Sequence, residues 1–457
     1  MRDFSKEIEL RKEKCVKDLQ GWIRCGSVYD ASTVTEGKPF GEGVYNALQY
    51  IANLAKEDGF AVDTCDGYCT EITYGDGEER VVVLGHADVV PVGKGWDYDP
   101  FGAEIKDGIM YGRGTSDDKG ATLAAYYALK IIKDLNIPLK RKVVIVAGGN
   151  EESGSRCLDY YFNKLKRPQP TYGFTPDANF PLIYGEKGGY NYMYSGEYVD
   201  EELESIDAGV VVNAVAQEAN FVLKKVYDGL ETKFNEFLAK YELQGTYKEE
   251  NSKTYLTFIG VAAHASTPWL GKNALAYGLA FLAENNISLL AKHFSDKFVN
   301  YYGEGLGVNH ESEPMGKLTM NIGLGKYDGN EYKLIIDIRY PHDLNGEDIT
   351  KNLDKHILHE GKMLRDSVPL YVDPNSEFIQ TLLRVYQECT GDYERLPMTI
   401  GGGTYARSAD NVVAFGMEFE NGSGSGNIHN ANEALALEDL YKGIEIYVNT
   451  LIELGNM

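Results

Sequence analysis

Two runs of apolar residues in the first third of the chain stand out from the amphipathic segments around them. The runs 80–91 (RVVVLGHADVVP) and 142–148 (KVVIVAG) are almost continuously apolar. Strands buried on both faces have this pattern, whereas half-buried strands alternate apolar and polar residues. Helical periodicity over 3–21, 43–56 and 120–135 places helices around these runs. Strands that alternate with helices predict an α/β domain with a mostly parallel sheet.

From about residue 186 the pattern changes to short alternating strands with helices between them. A hairpin is predicted where Asp328-Gly-Asn separates two such strands, because this tripeptide favours a tight turn. Locally paired strands with interleaved helices indicate a separate α+β domain. The predicted strands are 190–199, 208–216, 253–264, 318–327 and 331–341, and the predicted helices are 220–241, 273–285 and 346–364.

The α/β pattern returns in the last part of the chain. A helix is predicted over 376–390, a buried strand over 412–419 and a long closing helix over 433–454. The middle segment is therefore inserted into a discontinuous first domain. We predict an α/β fold in which residues 1–185 and 373–457 form a domain with a mixed, mostly parallel sheet, and residues 186–372 form an inserted α+β lid.

Charge and composition limit the classes of partner. The formal net charge of −24 would repel both a nucleic-acid backbone and an anionic membrane surface. No segment approaches the ~18 uninterrupted apolar residues of a membrane helix, and the charged start has no apolar signal region. Cys65 and Cys69 resemble half of a metal site, but no second cysteine pair completes it. We expect six free thiols in a cytoplasmic protein with no nucleic-acid or membrane partner.

Ionisable residues cluster at or just after the ends of the predicted strands. In open α/β sheets, ligands bind outside the carboxyl ends of the strands. A single histidine there is more often structural, and a Glu-Glu pair at a helix start usually interacts with the helix dipole. Several carboxylates at one sheet edge would repel one another unless cations lie among them. The segments are GHAD (85–88), TSDDKG (115–120), GNEE (149–152), TPD (175–177) and IHN (428–430).

Six motifs resemble the M20 metallopeptidase family, and most closely its PepV-like dipeptidase branch, which has a long inserted lid; the resemblance implies that the α+β domain is this lid and is built of ferredoxin-like halves. They are, in chain order, HADVVP, WDYDPF with DGIMYGRGTSDDKG, NEESG, PDANFP, GGGTYAR and IHNANE. The resemblance covers nearly the whole chain, and no ligand position departs from the family pattern. It implies metal-dependent hydrolysis of the peptide bond of dipeptides, with a small peptide as substrate.

Other functions remain open on the same scaffold. An N-acyl amino acid deacylase, a desuccinylase or a carboxypeptidase would share the bond chemistry, and the long lid favours a dipeptidase by resemblance alone. A non-catalytic binding protein that kept the fold is the rival from another class. The presence of Glu151 and of every ligand position argues against that rival.

The resemblance implies a catalytic domain with two divalent metal ions. His86 and Asp177 would hold one ion, Glu152 and His429 the other, and Asp117 would bridge both, with a cis peptide bond after it. Three carboxylates and a bridging hydroxide would balance the four positive charges. Imidazole and carboxylate ligands suit Zn²⁺ first, with Mn²⁺ and Co²⁺ as alternatives.

The resemblance also assigns catalytic roles to three further residues. Glu151 would be the general base, which takes a proton from the metal-bridging water and delivers it to the leaving amine. Asp88 lies two residues after His86, hence on the same face of a strand, and would orient its imidazole; the alternative is a surface acid. His264 in VAAHAST would donate a hydrogen bond to the oxyanion; the alternative is an ordinary loop histidine.

Substrate recognition is predicted for a further set of residues, most of which have a plainer alternative. Arg339 would bind a substrate carboxylate through two hydrogen bonds, unless it is a sheet-surface arginine. Asn213 would hydrogen-bond the substrate. Gly402 and Gly403 would offer backbone N–H groups or allow close approach, unless they form a simple turn. Arg407 would assist there or pair with an acid.

The remaining expectations concern closure of the lid and the oligomeric state. We expect substrate binding to close the lid and to bring His264 and Arg339 to the metals. In the M20 family, shorter lids dimerise and lend a histidine across the interface. The inserted segment of this chain is long enough to supply both halves itself, so a monomer is expected rather than a homodimer.

Overall fold

The computed structural model describes residues 1–457 and divides them into two compact units. The first unit contains residues 1–184, 372–398 and 404–457, and the second contains residues 185–371 and 399–403. The prediction had placed 399–403 in the first domain. They group with the second unit because Ile400 O accepts a hydrogen bond from Lys187 N, and Thr399 Oγ1 donates one to Pro314 O.

A mixed sheet forms the centre of the first unit, which confirms the predicted fold class. Its four middle strands run parallel to one another, so their carboxyl ends meet at one edge. Every residue of Arg80–His86 is buried, as its apolar run predicts. The strand order is Ala61–Asp63, Cys69–Tyr74, Lys142–Gly148, Arg80–His86, Tyr172–Thr175, Val412–Ala414 and Ile183–Glu186.

Helices cover this sheet. Lys119–Asp134 and Leu437–Asn456 pack against each other and against the strand Arg80–His86. The predicted N-terminal helix is divided at Leu10, a residue that is 71% exposed. The remaining helices are Ser5–Glu9, Lys12–Ile23, Glu42–Glu57, Arg156–Asp159 and Glu377–Thr390, and the remaining strands are Glu104–Lys106, Ile109–Tyr111, Ala178–Asn179, Met398–Ile400, Met417–Glu418 and Ala434–Ala436.

The second unit is an antiparallel sheet with helices, which is the predicted α+β composition. The hairpin at Asp328 is confirmed, and its carboxylate accepts hydrogen bonds from the N–H groups of Asn330 and Glu331. The strand order is Gln244–Glu250, Lys253–Ile259, Glu218–Leu223, Leu203–Ala208, Thr319–Tyr327, Glu331–Tyr340, Gly188–Glu197 and Glu360–Ser367. The helices Leu230–Tyr241, Ala274–Glu284, Leu289–Phe298 and Gly346–Leu353 share its apolar core.

The prediction of a strand over 208–216 is wrong. The strand ends at Ala208, and Gly209 turns the chain with a φ of +76°. Val210 and Val211 are 93% and 48% exposed, so this apolar run is a surface loop.

Two predicted helices of the second unit are too long. The helix predicted from residue 220 begins only at Leu230, because Glu218–Leu223 pairs with a strand on each side. The helix predicted to residue 364 ends at Leu353. Glu360–Ser367 is instead an edge strand paired with Gly188–Glu197.

The structure also bears on the predictions about cysteines and about membrane-spanning helices. All six cysteines are free, as expected. None of the helices combines the length and the apolar composition that crossing a membrane requires.

Candidate metal centre

The parallel strands deliver several of the predicted ligands to one edge of the sheet. His86 is the last residue of its strand and lies beside Gly148, the last residue of the neighbouring strand. Glu152 follows Gly148 by four residues, and Asp177 follows the end of Tyr172–Thr175 by two. Parallel pairing therefore brings together side chains that are up to 91 positions apart in the chain.

Asp117 lies between two imidazole rings and directs one carboxylate oxygen towards each. Its Oδ1 is 2.9 Å from His86 Nε2, and its Oδ2 is 3.0 Å from His429 Nε2. Asp177 Oδ2 lies 3.6 Å from His86 Nε2, and Glu152 Oε2 lies 3.2 Å from His429 Nε2. The five residues thus form two groups that share Asp117, and the ligand atoms of each group lie within 4.8 Å of one another. The cis peptide bond between Asp117 and Asp118 is confirmed.

Charges interact strongly in both groups. Burial alone would lower the pKa of His86, yet the carboxylates of Asp117 and Asp177 hold it well above its usual value. Hydrogen bonds to Asp117 and Glu152 raise the pKa of His429 to about 10. Burial, followed by the charge of Asp117, raises the pKa of Asp177. Each imidazole therefore lies in an environment that favours positive charge.

The chemistry of the donor set fits two divalent cations. The donors are imidazole nitrogens and carboxylate oxygens, which suit Zn²⁺, Mn²⁺ and Co²⁺. Three carboxylates lie close together, and burial raises the pKa of Glu152 as well as that of Asp177. Cations among these ligands would offset both the repulsion between the carboxylates and their burial.

The carboxylate of Asp88 holds the segment that carries Glu151 and Glu152. Its Oδ1 accepts a hydrogen bond from Glu151 N at 3.0 Å, and its Oδ2 accepts one from Glu152 N at 3.2 Å. His86 Nδ1 instead contacts the backbone carbonyl of Asp88 at 3.0 Å, against 3.5 Å to Oδ1. The carbonyl of Asp88 is thus its nearest atom to the imidazole, and its carboxylate in addition positions the loop that carries Glu151 and Glu152.

Glu151 is half-buried beside the two groups. Burial is the main cause that raises the pKa of Glu151 to about 8, and the charges of Asp177, Glu152 and Asp88 add to it against the opposing effect of His86. Cations bound beside Glu151 would favour its charged form and so lower this pKa. The charged carboxylate could then accept a proton from water and pass it on.

Glu433 is a buried residue of this centre to which the sequence motif alone assigns no role. Its Oε1 accepts hydrogen bonds from the N–H groups of Gly114, Ser116 and Asp117 at 3.0–3.1 Å. Its Oε2 accepts one from Arg113 Nη1 at 2.7 Å. Glu433 thereby fixes the loop that ends in Asp117. The available signal was its place in IHNANE, four residues after His429.

Replacing Glu433 by alanine should lower the free energy of unfolding by about 3–5 kcal/mol, because Arg113 would keep a buried charge without its partner. Both side chains of this ion pair are at most 2% exposed. The measurement is the melting temperature of the two proteins in metal-free buffer. Glu438→Ala, at an exposed position in the first turn of the next helix, is the matched control and should change stability little. Equal melting temperatures for E433A and E438A would contradict the role of Glu433.

His264 and Asn213 lie on adjacent segments of the second unit. Ala265 N donates a hydrogen bond to Asn213 O, and Ala214 forms a β-bridge with His264. Ser266 N donates to His264 Nδ1 at 3.2 Å, and Ser266 Oγ lies 2.7 Å from the same nitrogen. Because Nδ1 accepts a hydrogen bond, the ring proton is on Nε2. Partial desolvation, followed by the charge of Arg339, lowers the pKa of His264 and so favours the neutral ring.

Arg339 belongs to the strand Glu331–Tyr340 and is held by its neighbour on the same strand. The carboxylate of Asp337 accepts from Nε at 2.6 Å and from Nη2 at 3.2 Å. Arg339 Nη1 donates to Gly401 O at 3.4 Å. The guanidinium is thus fixed in one orientation by a buried carboxylate, which differs from the alternative of a freely exposed surface arginine.

Packing restricts Gly401 more tightly than it restricts Gly402. A Cβ on Gly401 would lie 2.7 Å from Ser266 Cβ, whereas one on Gly402 would meet only Ile400 Cδ1 at an ordinary 3.7 Å. Gly402 is half-buried and Gly403 is exposed. Arg407 is half-buried in the short helical segment Tyr405–Ser408 of the first unit.

Comparisons with known proteins identify the family and the fold of the chain. The chain matches the model of "Peptidase family M20/M25/M40" over residues 82–453. Two relatives named "Putative dipeptidase" are each 36% identical to it. The Staphylococcus haemolyticus protein aligns over 471 residues and 99% of each chain, and the Bacillus subtilis protein over 462 residues, 98% of this chain and 99% of its own. The crystal structure of human carnosine dipeptidase 1 has the same fold, with a TM-score of 0.57 at 15% identity over 98% of each chain.

Proposed function

The chain belongs to peptidase family M20/M25/M40 and is a peptide hydrolase; on that premise, we propose that it is a metal-dependent dipeptidase with Glu151 as its general base. The observation that carries this proposal is the pair of ligand groups that share Asp117, with Glu151 next to them. The dipeptidase names of relatives that align over nearly the whole chain support the substrate class.

His86 and Asp177 would hold one cation, Glu152 and His429 the other, and Asp117 would contact both. When bound, the two cations would polarise the scissile carbonyl group and lower the pKa of the attacking water. We propose Zn²⁺ as the physiological ion because imidazole and carboxylate donors suit it, and Mn²⁺ and Co²⁺ are the alternatives to be tested.

Glu151 handles the proton in this proposal. A carboxylate oxygen of Glu151 takes the proton from water as the oxygen of that water attacks the carbonyl carbon. The same oxygen then gives the proton to the amine nitrogen as the C–N bond breaks. The hydrogen bonds from Glu151 N and Glu152 N to Asp88 keep the base and the adjacent ligand in fixed relation during both transfers.

Residues of the second unit would stabilise and orient the substrate. His264 would donate from Nε2 to the developing oxyanion, since its Nδ1 already accepts from Ser266. Arg339, fixed by Asp337, would bind the substrate carboxylate. Asn213, Gly402, Gly403 and Arg407 are proposed as further substrate contacts.

Replacing His264 by alanine should lower kcat by about 10²–10³-fold while the metal content stays unchanged, because one oxyanion donor is lost. Steady-state kinetics with a dipeptide, together with elemental analysis of the protein, tests this. His310→Ala is the control, because that lid histidine faces Asp343 at 3.1 Å. The proposed role fails if H264A keeps the kcat of the unmodified enzyme.

The function itself is tested with enzyme stripped by a chelator and restored separately with Zn²⁺, Mn²⁺ or Co²⁺. The substrates are free dipeptides, the same dipeptides blocked at the amine, a tripeptide, and acetyl- and succinyl-amino acids. Metal-dependent cleavage of free dipeptides in strong preference to all the other compounds is the expected result. Preference for the acylated compounds would show that the enzyme is a deacylase. Preference for the tripeptide would show that it hydrolyses longer peptides.

A further inference from the structure

One carboxylate outside the two ligand groups lies beside the metal centre. Glu418 belongs to the short strand Met417–Glu418, which pairs in parallel with Ala178–Asn179. Glu418 is directly opposite Asn179, which follows the ligand Asp177 by two residues. This pairing brings Glu418 from the C-terminal part of the chain to the Asp177 side of the centre.

The surroundings of Glu418 are those of a binding group rather than of a structural ion pair. Its Oε2 accepts a hydrogen bond from Asn179 Nδ2 at 3.1 Å, and no basic side chain lies within ion-pair distance. It is not a member of either ligand group. Burial, together with the charges of Asp177 and Asp117, raises the pKa of Glu418 to about 7. A half-buried carboxylate whose partner is a neutral amide is costly to keep charged unless a cationic group completes the site.

We propose that Glu418 binds the protonated α-amino group of the substrate and thereby selects peptides with a free N-terminus over N-acyl compounds. This inference rests on the proposed function. One carbon atom separates the α-amino nitrogen from the scissile carbonyl carbon, so its binding group must lie close to the ligands that surround that carbonyl. A peptide amino group has a pKa near 7.7–8.0 and is mainly cationic at pH 7, whereas an N-acyl substrate has no charge at this position.

The test uses two ligands that differ only in the ammonium group, alanyl-leucine and propionyl-leucine. The measured quantity is the ratio of kcat/KM for alanyl-leucine to that for propionyl-leucine. Glu418→Gln keeps the shape of the side chain and removes its charge. We expect this ratio to fall by about 10- to 100-fold in E418Q, the range for loss of one charged hydrogen bond. Metal content measured by elemental analysis should stay unchanged.

A second readout does not depend on turnover. Calorimetric titration of metal-loaded E151Q and of the double variant E151Q/E418Q measures alanyl-leucine binding directly, and the double variant should bind it about 10- to 100-fold more weakly. Glu420→Gln is the matched control, since Glu420 lies two residues further on with a side chain that is 67% exposed and 3.7 Å from Arg395. E420Q should keep the ratio of the unmodified enzyme.

The possible outcomes separate this inference from the proposed function. If the unmodified enzyme shows no preference for alanyl-leucine, the dipeptidase proposal falls and the role of Glu418 falls with it. If the preference is strong but equal in E418Q and E420Q, only the role of Glu418 is overturned. Loss of metal from E418Q would also overturn it, because Glu418 would then support the metal ligands. A loss seen with lysyl-leucine and absent with alanyl-leucine would assign Glu418 to a side-chain pocket and overturn the α-amino assignment.

Discussion

Replacing Glu151 by glutamine will lower kcat by roughly 10²–10⁴-fold, which is the range for removal of a general acid–base group. Glutamine has nearly the same shape but cannot accept the proton of the attacking water or return it to the leaving amine. Glu151 lies outside both ligand groups, so the metal content of E151Q should equal that of the unmodified enzyme. Single-turnover kinetics with elemental analysis of the same sample provides the measurement.

The adjacent residue provides the control for this prediction. Glu152 is 3.2 Å from His429 Nε2 and belongs to a ligand group, so Glu152→Gln should lose metal as well as activity. The two variants would then lose activity for different reasons, because E151Q keeps its metal and E152Q loses metal. Loss of metal from E151Q, or an unchanged kcat, would contradict the role of Glu151 as base.

Replacing Asp117 by asparagine should remove both metal ions and abolish detectable hydrolysis. Asp117 contributes one oxygen to each group, and asparagine loses the charge and one of the two anionic oxygens. Loss of an outer-sphere partner alone costs a metal site about 10–100-fold in affinity, so loss of a shared ligand should cost each ion at least about 100-fold. Metal content after dialysis at a fixed free Zn²⁺ concentration is the quantity to measure.

Variants of the unshared ligands show whether Asp117 acts on both ions. Asp177 belongs only to the group with His86, and Glu152 only to the group with His429. Asp177→Asn and Glu152→Gln should therefore each bind one ion per chain, and D117N should bind none. Retention of a full complement in D117N would exclude Asp117 as the shared ligand.

The strand ends of the first unit were predictable because each strand is specified by an apolar run of consecutive residues. The runs before His86 and Asn150 contain enough valine, isoleucine and leucine to specify buried strands, and parallel strands end at the same edge. The ligand candidates follow those runs directly in the chain. The number and order of these residues resemble the M20 family pattern. That resemblance, and not the spacing, assigned each ligand to one of the two metal ions.

Contacts between distant segments were not predictable from one sequence. Glu433 accepts hydrogen bonds from three N–H groups of residues that lie more than 300 positions earlier in the chain. No local sequence pattern connects Glu433 with those residues. The same limit applies to Val210, whose exposure depends on where the strand before it ends. Asp88 was singled out for its spacing from His86, but spacing could not distinguish its carbonyl from its carboxylate.

The position of the strand Val412–Ala414 has a consequence for biosynthesis. This strand occupies an interior place in the first unit's sheet, between Tyr172–Thr175 and Ile183–Glu186. A ribosome makes it only after the whole inserted segment, so the nascent chain carries an unfilled gap in that sheet while the inserted segment is being made. Unpaired strand backbones are templates for aggregation, and a chain truncated within the insert cannot fill the gap. The gap can therefore close only after residues 412–414 have left the ribosome, and until then the edges of the two flanking strands stay open to pairing with other chains.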